Sequence, residues 1–134
     1  MFDLTLVVPN DRVALSNMTV IEEHEDPVDQ TKRVLKFATT PIMSTYLLAY
    51  VIGEYEYIER RSKRGIPVRM YTPLGKTEQG EFALDVVVRC LDYYEEYFKI
   101  EYPLPKLDLI AIVNFEPGAM VSAFHSYRLS LTFL

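Results

Sequence analysis

The run His24-Glu25-Asp26-Pro27-Val28 opens like the pentad HExxH, in which two histidines one helical turn apart hold zinc and the glutamate between them activates water. Val28 stands where the second histidine should be, and Pro27 disrupts the helix that would set both rings on one face. The stretch reads as a solvated loop. His125 has no ligand-type neighbour and reads likewise, so no metal site is expected in this chain. Cys90 is the single cysteine; it falls inside a helical pattern with no histidine close in sequence to activate it, and is expected to be a buried core thiol rather than a nucleophile. Arg60-Arg61-Ser62-Lys63-Arg64 has the make-up of a nuclear-localisation cluster, yet a basic turn between two strands accounts for it. Tyr50, Tyr55 and Tyr57 could form a binding platform, but aromatics at strand spacing are expected to pack a sheet.

The composition sets the limits within which such residues act. With 134 residues, 49% apolar and 25% charged, the chain has the make-up of an ordered domain with a real core. A formal charge of -5 with acids spread along the chain gives no footprint for a polyanion, so nucleic acid is not an expected partner. The longest apolar run, Tyr46 to Gly53, is far short of the roughly 20 residues that cross a bilayer. One cysteine and an N-terminus without basic n-region or long apolar core fit a reducing, cytoplasmic setting.

Two periodicities divide the chain. Leu4, Leu6 and Val8 share one side of a period-two pattern that starts at Phe2 and closes at Pro9-Asn10-Asp11. Met18 to Glu22 is a second strand, Glu23 to Gln30 a loop, and Arg33 to Phe37 alternates again. Ser44 to Ile58 is rich in aromatic and β-branched residues, with Gly53 marking a bulge or a close approach of another backbone. Ile66 to Tyr71 completes this half, which is expected to be a sheet-on-sheet arrangement. Beyond Gly75 the period becomes about 3.6. Thr77 is the expected N-cap of a helix over 78–98, with Leu84, Val87, Leu91, Tyr94 and Phe98 on its apolar face. Pro103 and Pro105 stop the helix, and Leu107 to Val113 reads as a buried strand. The composition shift near Thr72 to Lys76 places a domain boundary there, and because a helix, a proline turn and one strand cannot bury their own apolar faces, the second segment reads as the opening of a domain.

Four ordered blocks then carry a resemblance. Phe2 to Met18 (FDLTLVVPNDRVALSNM), Thr39 to Glu59 (TTPIMSTYLLAYVIGEYEYIE), Val68 to Val87 (VRMYTPLGKTEQGEFALDVV) and Tyr97 to Met120 (YFKIEYPLPKLDLIAIVNFEPGAM) are similar to consecutive blocks of the M1 family of zinc aminopeptidases. The resemblance implies a mainly β fold with some α: residues 1–73 as the C-terminal part of the family's N-terminal β-sandwich, residues 74–120 as the first helix and strand of its thermolysin-like catalytic domain. It also implies a cytosolic peptidase acting on the N-termini of peptides with zinc as cofactor. In the family, a Gly-Ala-Met-Glu-Asn loop places the substrate by backbone hydrogen bonds, and its glutamate holds the free α-amino group. Gly118, Ala119 and Met120 match its first three positions and are the expected substrate-binding residues.

At Val121 the resemblance stops. Val121 and Ser122 replace the loop's Glu and Asn, and valine offers no acceptor for an ammonium group. The family's HExxH helix has no counterpart before residue 134, so the chain alone is expected to be an inactive fragment without zinc. The tail 121–134 matches no block; Val-Ser can be encoded by a splice-donor sequence, and read-through into an intron is the expected origin. Missing strands would leave unpaired edges, so a chaperone or a full-length relative is the expected protein partner. The alternative reading is a non-catalytic protein that binds or regulates such a relative.

Overall fold

A computed structural model describes residues 1–112 and the backbone of two short strands at 120–121 and 131–133. The chain order is β1 (Thr5–Pro9), β2 (Val13–Ser16), β3 (Val20–Glu25), β4 (Lys32–Phe37), a 3-10 turn (Thr45–Leu47), β5 (Tyr50–Gly53), β6 (Tyr55–Arg61), β7 (Pro67–Pro73), α1 (Thr77–Phe98), β8 (Leu107–Ala111), β9 (Met120–Val121) and β10 (Leu131–Phe133). The fold is mainly β with one helix among the described residues, as expected.

The strands form three sheets. An antiparallel sheet has the order β1-β4-β3, β2 pairs β5 antiparallel, and the third sheet runs β6-β7-β8-β10-β9. The alternation expected in the first strand is seen in its burial: Val8 is buried and Leu6 half-buried, while Thr5, Val7 and Pro9 face solvent. Val8, Ala14, Leu35 and Phe37 make the core there. In the third sheet β7 leads through α1 into β8, which lies parallel to β7 with Val68 opposite Leu107. This crossover, which a parallel pair requires, explains how the helix and β8 bury their apolar faces: both pack on the strands that precede the helix. Val68, Met70, Leu84, Leu91 and Leu109 form that core.

Several expectations are corrected. Val13–Ser16 is a strand the pattern did not show. The run Ser44 to Ile58 is a 3-10 turn and two strands in different sheets, with the change of sheet at Glu54. Gly53 is approached by a side chain and not by another backbone: a Cβ there would lie 2.6 Å from the Tyr55 ring. β3 extends to Glu25, so His24 and Glu25 lie on a strand rather than in a loop. Thr77 is the first helical residue and not the N-cap; Lys76 holds that place without a side-chain cap bond. The Glu56 carboxylate of β6 accepts hydrogen bonds from the Gly75 and Lys76 amides at 2.6 and 3.1 Å, fixing the chain where it enters the helix. On α1, Leu84 and Leu91 are buried as expected, but Tyr94 and Phe98 are exposed, as is Cys90.

Candidate functional site

Gly118 and Ala119 lie outside the described residues, and Met120 opens β9, where its backbone stands opposite Thr132 of β10 in a parallel pair. His125 also lies outside them. His24 and Glu25 are adjacent on an exposed strand, which sends their side chains to opposite faces, and His24 Nδ1 sits 2.9 Å from the Glu25 carbonyl oxygen. Zinc needs at least three side chains converging on one point, and no such group of His, Cys, Asp or Glu occurs among the described residues. These residues do not fit the metal.

The basic cluster is absorbed by packing. Arg60 of β6 reaches Glu81 and Asp85 of α1 at 2.5 and 2.9 Å, and Arg64 reaches Glu95 and Glu101, both at 2.9 Å. The Lys63 amide donates to Asp92 at 2.8 Å. The turn thus ties the helix to the sheet. Among the tyrosines, Tyr57 packs its ring 5.1 Å from that of Tyr71, with the Arg69 guanidinium 5.4 Å above it. Tyr50 and Tyr57 keep about half their surface in solvent, so sheet packing accounts for part of them only.

Sequence reasoning missed a buried charge cluster at the N-terminal end of β8. Lys106 is 4% and Asp108 1% exposed. At positions i and i+2 the two side chains share a face. Lys106 Nζ donates to Asp108 Oδ2 at 2.5 Å and to the backbone carbonyl of Ser16, 90 residues earlier, at 2.6 Å. Tyr102 donates its hydroxyl to the Lys106 carbonyl at 3.1 Å. Asp108 Oδ1 is buried without a hydrogen-bond partner among the described residues. Burial pushes the Lys106 ammonium below its usual range and the Asp108 carboxyl above its own, each opposed by the charge of the other. Burial and the neighbouring Asp108 charge push the Tyr71 phenol up to about 12. The pair lines a cavity of about 390 Å³, shared with Leu15, Leu35, Phe37 and Arg69. The sequence signal was a Lys-x-Asp at the mouth of an otherwise apolar strand.

Two family models match this chain: the Peptidase M1 N-terminal domain over residues 1–47 and the Peptidase family M1 domain over residues 82–126. The chain belongs to peptidase family M1. Similar M1 relatives include the puromycin-sensitive aminopeptidase of Caenorhabditis elegans, 52% identical over 119 residues that make up 89% of this chain and 12% of the relative. Aminopeptidase M1 of Arabidopsis thaliana is 49% identical over 119 residues, 89% of this chain and 13% of the relative. Aminopeptidase N of Acetobacter pasteurianus is 45% identical over 120 residues, 89% of this chain and 33% of the relative. The chain therefore spans a small part of the M1 proteins it matches. The two models leave residues 48–81 between them, the segment in which β5 closes one sheet and β6 opens the next. No helix of the described residues is long and apolar enough to cross a membrane.

Proposed function

We propose that this chain is the segment of a zinc-dependent M1 aminopeptidase that joins the N-terminal domain to the start of the catalytic domain, and that alone it has no peptidase activity. The observation that carries this is the order of matches, N-terminal domain first and peptidase domain second, on one chain that is about half identical to named aminopeptidases. The activity belongs to the longer protein: removal of N-terminal residues from peptides, in the cytoplasm, with zinc as cofactor. Within the segment, residues 1–73 belong to the N-terminal domain and 74–120 to the catalytic one by periodicity; sheet membership favours placing the seam earlier, at Glu54.

In this reading Gly118, Ala119 and Met120 offer backbone groups to an extended peptide. Val121 supplies only a backbone amide and carbonyl where a carboxylate should hold the substrate ammonium, so binding energy at the free N-terminus is lost. With two histidines in the chain, 24 and 125, and no second one spaced for HExxH, no residue set here holds the metal that would activate water. The test is zinc stoichiometry by elemental analysis of the chain dialysed against micromolar Zn²⁺. Substoichiometric zinc is the expected outcome; one tightly held zinc per chain would overturn the proposal.

A second reading is favoured by α1. It leaves Phe82 (80%), Tyr97 (66%) and Phe98 (59%) exposed, aromatic side chains that a protein partner would cover. A chaperone or a full-length relative is the partner this surface would suit, which would make the chain a non-catalytic binding protein.

A further inference from the structure

The described strands fall into sheets that share no strand hydrogen bonds: β1-β4-β3 and β2-β5 on one side, and the sheet built on β6-β7-β8 on the other. Side chains join them. Leu15 of β2 packs with Tyr71 of β7 and Ile110 of β8, and Lys106 places a hydrogen bond across the same junction onto the Ser16 carbonyl. The receiving end is itself braced: Ser16 Oγ donates to the Ala49 carbonyl at 2.9 Å, and the Ala49 amide donates to Asn17 Oδ1 at 3.0 Å. The sending end is braced by Asp108 on one side and by Tyr102 on the Lys106 carbonyl.

A buried ammonium is an unfavourable way to join two apolar surfaces, because it must lose its water, a cost that packing alone does not carry. What a lysine adds is register: a hydrophobic contact between Leu15 and Ile110 tolerates sliding, whereas an ammonium held between one carboxylate and one carbonyl does not. The strand it fixes ends at Ala111, seven residues ahead of Gly118 in the sequence. We propose that Lys106, with Asp108 as its charge partner, is a positioning residue that locks β8 against the end of β2 and thereby sets where the segment leading to the substrate loop begins. The consequence for the loop rests on the reading of Gly118–Met120 as substrate-binding; the lock between β8 and β2 does not.

The test is hydrogen exchange of individual amides, measured by NMR on the 134-residue chain and two variants. Lys106→Met removes the lock but also strands the Asp108 carboxylate, so general loss of stability accompanies it. The double variant K106M/D108L removes both charges and restores an apolar fit. The expected result for the double variant is wild-type protection in β7, β8 and α1 with protection in Val13–Ser16 and Tyr50–Gly53 lowered at least tenfold. Protection in β2 and β5 equal to wild type, or lowered by the same factor as α1, would overturn the proposal. So would an unaltered chain whose Val13–Ser16 amides are unprotected. This readout involves no peptide and no metal, so it fails or stands separately from the peptidase reading.

Discussion

Replacing Gly80 with alanine tests how closely α1 is seated on the sheet. Gly80 is buried in the first turns of the helix, and a Cβ there would lie 2.6 Å from Met70 Cγ and 3.4 Å from Thr72 Cγ2. Two effects oppose each other. Alanine in place of glycine favours a helix by about 1 kcal/mol. Against it, carbon atoms prefer separations of about 3.5–4.0 Å, and overpacking a filled site costs about 1–3 kcal/mol. The contact atom decides the balance. Cγ is near the base of the Met70 side chain and Met70 is 4% exposed, so the residue cannot swing its tip away and must shift with its strand. G80A is expected to destabilise the chain by about 1–2 kcal/mol in urea unfolding followed by circular dichroism at 222 nm. Met70→Ala alone should cost about 2–5 kcal/mol, but in the G80A background the cost should fall by about 1 kcal/mol or more, because the new methyl fills the space left. A G80A chain more stable than the parent, with costs that add, would refute the seating of α1 on β7.

Arg60→Ala should lower stability by about 0.2–1 kcal/mol, because its two ion pairs to Glu81 and Asp85 are roughly half exposed, and the difference should shrink in 1 M salt; a salt-independent loss would contradict the account. Asp29 accepts from the Thr31 hydroxyl at 2.6 Å and amide at 3.0 Å, and pairs with Lys32 at 2.9 Å, which together hold its carboxyl at about 2 instead of 3.8. A lowered folded value gives stability that is present above pH 3.8 and lost as pH falls through 2. Asp29→Asn should therefore remove that part of the acid sensitivity, and an NMR titration of Asp29 with its midpoint near 3.8 would contradict it.

Legibility in the sequence followed locality. The helix was visible because 3.6-residue periodicity over 20 residues is a local signal; it starts just after Gly75 and ends at Phe98, where Lys99 turns left-handed ahead of Pro103. β1 showed its alternation because one face is buried and the other is not. β3 was cut short at Glu22 because an exposed strand needs no apolar residues, and all six of its positions face solvent. β2 escaped because three of its four residues are buried in succession, leaving no alternation. The run from Ser44 looked continuous since its composition is uniformly β-like, while the change of sheet depends on which earlier strand each part meets. Lys106 and Asp108 were illegible for the same reason: charged residues read as solvated unless their partner is known, and the Ser16 carbonyl is a tertiary neighbour. The reading of Gly118, Ala119 and Met120 as substrate-binding comes from resemblance alone, and Gly118 and Ala119 lie outside the described residues.

The measurement that bears most directly on the whole account is aminopeptidase turnover by the pure 134-residue chain. It would be assayed with fluorogenic aminoacyl amides in the presence of Zn²⁺, beside a longer M1 relative as positive control. With Val121 where the family resemblance expects a glutamate, and no HExxH in the sequence, the account predicts hydrolysis at the background rate for the chain and turnover for the relative. Hydrolysis by the chain above background that is abolished by a chelator would contradict it.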